Sequence, residues 1–314
     1  MLVSVFFYEI RITRPYICIM ITFNPAEMPV AGVQNILQSA VGPRPIAFAS
    51  TINAQNEVNL SPFSFFNVFS ANPPVLIFSP ARRVRDNTTK HTLENVQEVP
   101  EVVINVVSYS MVQQMSLSST EYPKGVNEFE KSGFTQISSE IVRPPRVAES
   151  PVQFECEVQQ IISMGDQGGA GNLIVCLVKR IHVSEAILNE NKQIDQHKID
   201  LVARLGGNFY CRASGDALFE VEKPLTTLGI GVDQIPQAIR FSPVLSGNHL
   251  GQLGNVEALP NKDELSAFQH SELFETLMMD VKATDFAQHR IAAQLLDKGD
   301  VINAWKVLLA DDSK

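Results

Sequence analysis

The chain predicts a mainly β body of roughly 200 residues with short helices, followed by a small helical tail. Three observations carry this. Short β-branched and alternating runs recur between residues 46 and 183, clusters of Gly, Pro and Asn separate them, and helix-period patterns take over after residue 263. The strands do not alternate with long helices, which argues against a parallel doubly wound sheet. With 314 residues, 45% hydrophobic and 19% charged, the composition is globular and large enough for a substantial core.

Residues 1–29 read as an N-terminal extension. The stretch MLVSVFFYEIRITRPYICIM is apolar but interrupted by Glu9, Arg11 and Arg14, so it falls short of a membrane span. It lacks the ordered regions of a signal peptide, which is the weaker reading. The preferred one is an upstream start, with Met20 or Met28 nearer the working beginning of the fold.

From Pro45, Ile46, Phe48 and Ile52 alternate with smaller residues, and Asn53–Asn56 supplies a turn. VLIFS at 75–79 reads as a buried strand after Pro73-Pro74. Residues 89–99 place Leu93, Val96 and Val99 at helix spacing, and VVINVV at 102–107 reads as a strand. Residues 109–118 read as a second short helix. Residues 119–150 are polar and proline-punctuated, with a helical turn near Glu128. Two strands follow, 152–163 and 173–183. The first puts Phe154, Cys156 and Val158 on one face and Glu155 and Glu157 on the other. Their link, GDQGGAGN, leads into a strand rather than a helix, so it reads as a flexible hairpin turn and not a dinucleotide loop.

After about Ser214 the chain changes character. Residues 216–314 read as a Gly/Pro-rich linker and helical tail, with the Gly and Pro concentrated at 224–260. Asp263 is placed as the cap of a helix carrying Leu265, Phe268 and Leu277, Thr284 or Asp285 as the cap of the next, and Asp300 as the cap of the last, with Val301, Trp305 and Leu308 in register. The tail's apolar faces need a partner surface, and the expectation is that it covers an edge of the β body, with capping the active site or extending a contact with a second subunit as the alternatives.

The formal charge of −9 argues against a general nucleic-acid binder. Cys18, Cys156, Cys176 and Cys211 form neither a CxxC pair nor a zinc pattern, and the two in apolar runs read as core thiols. A reducing cytoplasm fits them. The histidines carry no metal pattern: His182 reads as a satisfied structural residue and His197 as an exposed loop histidine.

Two segments stand out. In VGPRPIAFASTINAQNEVNLSPFSFFN, Arg44 stands between prolines, and hydroxyls and amides gather at Ser50-Thr51 and at a proline-containing bend, Ser61–Ser64. Such a bend cradles anions. Phe63, Phe65 and Phe66 add flat apolar surface, so the segment suits a ligand with a phosphate at one end and a ring at the other. A capped loop beside core phenylalanines explains the same residues, and both readings stay open. The second segment, Arg82–Thr92, sets Arg82, Arg83, Arg85 and Lys90 just before a helix start, in an acidic protein. Arginine forks, a lysine point charge and a helix N-terminus suit a phosphate, and a solvated charged loop is the alternative.

PRPIAFAST, NLSPFSFFN, the Lys90-His91-Thr92 region with Asn95, and VVINVV together resemble the flavin reductase-like FMN-binding split-barrel family, the flavoredoxin group, over residues 30–212. The resemblance implies a Greek-key split β-barrel over 30–215, a homodimer, bound FMN, and NADH or NADPH as electron donor. Carried over by position, Arg44, Pro45, Ser50 and Thr51 match the first flavin-contacting strand. Asn59, Ser61, Pro62, Phe63 and Ser64 match the loop around the ribityl chain and phosphate. Lys90 and Thr92 match a Lys-Asp-Thr phosphate motif, with His91 replacing the acid and the more basic approach bringing in Arg83. Tyr210, in RLGGNFY, matches a late segment near the flavin ring. Hydride transfer to a flavin needs stacking and distance rather than a side-chain acid or base, so no catalytic residue is assigned. Two alternatives remain: a flavin-binding electron carrier without nicotinamide activity, and a ligand-free barrel serving as an interaction module.

Overall fold

The computed structural model describes residues 20–279 and 286–310. The N-terminal stretch as far as residue 19 and the expected cap at Thr284 or Asp285 lie outside them. The described chain forms two units, Thr22–Glu220 and the segment from Val221 onward.

The first unit opens with helix α1 (Val30–Ala40), which the sequence reading did not anticipate. Then come β1 (Ala47–Ile52), β2 (Val58–Phe63), β3 (Phe66–Ala71) and β4 (Pro74–Phe78), helix α2 (His91–Glu98) and β5 (Glu101–Asn105). Short helices α3 (Val112–Leu117) and α4 (Glu128–Ser132) follow. A two-residue pair, β6 (Gln136–Ile137) and β7 (Arg146–Val147), precedes the long hairpin β8 (Val152–Ser163) and β9 (Asn172–Val183). A separate ribbon, β10 (Leu201–Arg204) and β11 (Tyr210–Ala213), closes the unit.

The main sheet is antiparallel and seven-stranded, in the order β2-β1-β5-β8-β9-β4-β3. Its edge strands, β2 and β3, are consecutive in the chain and joined only by Ser64-Phe65. A two-residue joint between opposite edges forces the sheet to curl until they meet, which is barrel closure at a corner.

The expected bend at Ser61–Ser64 is therefore corrected: Ser61, Pro62 and Phe63 belong to β2, and the chain turns only at Ser64-Phe65. Pro62 is tolerated because β2 is an edge strand, and Pro74 because it is the first residue of the interior strand β4. The prolines hide the strand signal from a pattern reading.

β1 is buried along its whole length. Ala47 and Ala49 face the barrel interior with Phe63, Phe78, Ile104, Cys156, Ile174 and Cys176, under Leu93 and Val96 of α2. Phe48 faces outward onto Leu60, Met111, Met115, Phe129, Phe134 and Val147 of the covering segment. The small-large alternation AFA thus fits a strand covered on both sides. Cys156 and Cys176 are core thiols, as expected, and burial pushes both well above their ordinary values.

Glu155 lies on the face opposite Cys156 but is fully buried. Its carboxylate accepts the N–H groups of Glu140 (2.8 Å), Ile141 (2.8 Å) and Val142 (3.3 Å) and bonds His182 Nε2 at 2.7 Å. This pins the 138–143 segment to the sheet and satisfies His182.

The second unit holds α5 (Gln237–Arg240), α6 (Gly247–Gly254), α7 (Lys262–Gln269), α8 (Glu272–Met279), α9 (Ala287–Asp297) and α10 (Val301–Leu309). Trp305 is its centre, packed with Leu253, Ala292, Leu296 and Leu308, and its Nε1 donates to Leu253 O at 3.1 Å. Asp300 caps α10 as expected. The cap of α7 is Asn261 rather than Asp263, which sits in the first turn. The helix expected to run from Leu265 to Leu277 breaks at His270-Ser271, where Ser271 Oγ caps both sides. The stretch read as linker contains α5 and α6. α6 is glycine-rich and closed by a Ser246/His249 capping box, so capping chemistry rather than periodicity defines it.

Candidate functional site

The start of α2 meets the β2 edge, and a cleft opens there. It is lined by Asn59, Ser61, Arg83, Lys90, His91 and Thr92 on one side and by Ser118–Tyr122 with Glu128 on the other. Five of the sequence-derived candidates, Asn59, Ser61, Arg83, Lys90 and Thr92, thus come together from segments about thirty residues apart.

Two bonds fix α2 against the barrel. Asn59 Nδ2 donates to Thr92 Oγ1 (2.9 Å), and Asn95 Nδ2 donates to Thr51 Oγ1 (3.1 Å). All four residues are buried. Lys90 stands at the N-cap position, and no side chain caps the helix. The first helical residues, His91 and Thr92, line the cleft, so the positive end of the α2 dipole lies beside it, a setting that favours an anion.

The four cations separate by role. Arg82 folds back on its own loop, donating to Asn87 Oδ1 (2.6 Å) and Asn87 O (2.7 Å). Arg85 is exposed and pairs with Asp86 and Glu121. Arg83 lines the cleft, tied to Glu121 at 2.9 Å and to Thr88 and Thr89. The half-buried Lys90 ammonium has no hydrogen-bond or ion-pair partner among the described residues, and neither does the Ser61 hydroxyl. Burial and the nearby Arg83 hold Lys90 below its ordinary value. Glu121 across the cleft offsets this only in part, so an arriving anion would relieve the remaining cost.

The Gly-rich turn between β8 and β9 supports this basic loop. Arg82 N–H donates to Ala170 O, Gly169 N–H to Arg82 O, and Asn87 Nδ2 to Asp166 O. A Cβ on Gly168 would lie 3.0 Å from Arg83 O and 3.1 Å from Val84 Cα. The close backbone approach explains the glycine.

The remaining candidates sit elsewhere. Arg44 is buried, and its guanidinium donates to Gln38 O, Val41 O (2.6 Å), Leu205 O (3.0 Å) and Ser64 Oγ (3.4 Å). It ties the end of α1 to the β2–β3 corner and to the loop after β10. Tyr210 lies under Arg204, 4.6 Å from guanidinium carbon to ring centre. Pro45 is exposed. Ser50 is fully buried with an unpartnered hydroxyl. Phe63 is a core ring 5.4 Å from Phe78, and Phe66 packs on the same core, which leaves Phe65 as the exposed ring of the three.

Sequence reasoning missed the far wall: Ser118, Ser119, Thr120, Glu121, Tyr122 and Glu128. The hydroxyl run Ser116–Thr120 was the available signal. Glu128 is buried, accepts Leu60 N–H at 3.0 Å, and is raised by burial.

The family described as flavin reductase like domain matches residues 41–198. An uncharacterised Aquifex aeolicus protein is 39% identical over 181 residues, covering 58% of this chain and 90% of that one. A Halalkalibacterium halodurans relative is 36% identical over 189 residues, covering 60% and 90%. Among solved structures, nitrilotriacetate monooxygenase component B from Bacillus cereus is 28% identical with a TM-score of 0.60, covering 64% of this chain and 98% of that one. A split-barrel protein from Shewanella frigidimarina, 23% identical with a TM-score of 0.54 and covering 65% and 100%, shares the fold. The barrel, the cleft and these matches together place the chain in the flavin reductase-like family.

Proposed function

We propose that the protein is an FMN-dependent oxidoreductase that accepts a hydride from NADH or NADPH and passes the electrons on through bound flavin. The cleft at the start of α2 carries the reading: an unpaired Lys90 ammonium, a free Ser61 hydroxyl and an uncapped helix start fit a phosphate. Lys90, Arg83 and Ser61 would hold that phosphate, while Asn59, Thr51 and Thr92 keep α2 in place around it. Pro62, Ser64 and Tyr210 are the proposed neighbours of the ring, and Phe65 adds apolar surface. Arg44, Pro45 and Ser50 set the position of β1 beneath it. Bound flavin supplies the two-electron chemistry, and the side chains bind, orient and shield it without acting as acid, base or nucleophile. That the Bacillus cereus neighbour is named a monooxygenase component supports an oxidoreductase.

Residues 30–215 are proposed as the FMN-binding domain. Ile36, Leu37 and Val41 at the end of α1 and Val68 and Phe69 on β3 are exposed. A second copy of the chain is the proposed cover for these apolar residues. Among the described residues no helix is long and apolar enough to cross a membrane, and a cytoplasmic location is proposed.

The test is the visible spectrum of the purified protein, the mass of the released ligand, and anaerobic addition of NADH or NADPH. Flavin absorption, an FMN mass and bleaching by either dinucleotide are expected. Bound FMN without bleaching turns the reading to an electron carrier fed by another protein. Failure to take up added FMN refutes it and leaves the interaction module.

A further inference from the structure

Arg44 and Arg204 face each other as an antiparallel backbone pair. Arg44 N–H donates to Arg204 O at 2.9 Å, and Arg204 N–H to Arg44 O at 2.8 Å. Side chains of such a pair leave the same face, and like charges placed directly opposite destabilise it. No carboxylate forms an ion pair with either guanidinium among the described residues. Arg44 is held below its ordinary value by burial and by Arg204.

The two arginines use their donors differently. Those of Arg44 point into the protein, so it is a fixed background charge. Arg204 is half-buried and donates one bond, from Nη1 to Phe209 O at 3.1 Å. Its guanidinium carbon lies over the Tyr210 ring, 4.6 Å from the ring centre. A guanidinium carries five N–H donors, and the others of Arg204 have no protein partner among the described residues. Gly207 beside it is in the left-handed region at φ +55°, with open space where a Cβ would stand.

Position excludes the flavin phosphate as the missing anion. Ser64, bonded to Arg44, lies three residues beyond the cleft-lining Ser61, about 10 Å along the chain. FMN carries one phosphate, and the cleft at Lys90 accounts for it. A second anion at Arg204 belongs to a different molecule.

We propose that Arg204, backed by the Arg44 charge and braced on Tyr210, binds a phosphate of the nicotinamide dinucleotide donor. This rests on the flavin reading above. The guanidinium fork suits phosphate, and stacking on Tyr210 fixes its orientation before the dinucleotide arrives. Arg204 is thus a substrate-binding residue, distinct from the phosphate cleft.

The experiment is calorimetric titration of the FMN-loaded protein with NADP⁺ and NAD⁺, together with a separate FMN titration of the apoprotein, for wild type, Arg204→Gln and Arg204→Lys. Arg204→Gln is expected to weaken dinucleotide binding about tenfold, as for loss of a charge-assisted contact, with FMN affinity within about twofold of wild type. Arg204→Lys is expected to fall between them. The FMN titration also reports that each variant is folded. Unchanged dinucleotide affinity in Arg204→Gln overturns the proposal alone. A variant that loses FMN affinity instead assigns Arg204 to the flavin site and also overturns it. Wild type that binds FMN but neither dinucleotide overturns both this proposal and the nicotinamide part of the function. Wild type that takes up no FMN overturns the flavin reading and this proposal with it.

Discussion

Lys90→Ala separates a ligand-binding cation from a structural one. Among the described residues the half-buried Lys90 ammonium forms no ion pair; burial and Arg83 outweigh the more distant attraction of Glu121, so its charge is held at a cost. Its side chain does not cap α2, so truncation removes no cap. Loss of a charge-assisted contact to phosphate costs about 1.5–3 kcal/mol, which is about 10- to 150-fold in Kd for FMN. The melting temperature of the apoprotein is expected to stay the same or rise, because an unpaired buried charge and its repulsion with Arg83 are removed. The pH dependence follows from the sign of the shift. The folded ammonium loses its proton below the ordinary 10.5, so the unfolded chain binds more protons across that window. Free-protein stability contributed by this group rises with pH there, while FMN affinity falls as the cation disappears. Flavin fluorescence quenching measures Kd across pH 7 to 10.5, and scanning calorimetry measures stability. The reasoning is refuted if Lys90→Ala binds FMN as tightly as wild type, or if it lowers the apoprotein melting temperature.

Three further outcomes are expected. Glu128→Gln should raise the melting temperature at pH 7 and leave it unchanged at pH 4: burial raises this carboxyl, so its penalty grows as pH rises through the window above 4.5, and thermal melts at the two pH values check it. Glu155→Ala should destabilise the first unit by about 2–4 kcal/mol, since it strands three backbone N–H groups. Limited proteolysis should then cut near residues 138–143, and an unaltered digestion pattern would contradict the pinning role. Gly168→Ala should weaken FMN binding with little change in the barrel's circular dichroism, because the added Cβ displaces the backbone of Arg83 and Val84; equal FMN affinity would show that the turn does not position the basic loop.

Much of the barrel was legible because its strands bury continuous or alternating apolar residues. AFASTI, VLIF and VVIN declare themselves, and the 152–183 hairpin does so through period and turn chemistry. β2 and β3 were not legible. Pro62, Ser61 and Ser64 look like a bend, and only an edge position in a closed sheet lets such residues be strand. α1 and the β10–β11 ribbon escaped for a related reason. α1 has no buried residue, and both are held by distant partners such as Arg44 rather than by a strong local period.

The site divides the same way. Local sequence determined that hydroxyls and cations would cluster in two segments and that a helix would run over about residues 89–99, because helix periodicity and charge density are short-range properties. The tertiary structure decided which cations point at the cleft. Arg82 and Arg85 bond acceptors in their own loop, Arg44 donates to carbonyls at the end of α1 and after β10 and to the Ser64 hydroxyl, and the Lys90 ammonium has no hydrogen-bond or ion-pair partner among the described residues. Four positive charges in a row look alike in sequence. Arg82 finds its acceptor in Asn87 of the same loop, whereas Arg83 and Arg85 are held by Glu121, more than thirty residues away, which no local pattern reveals.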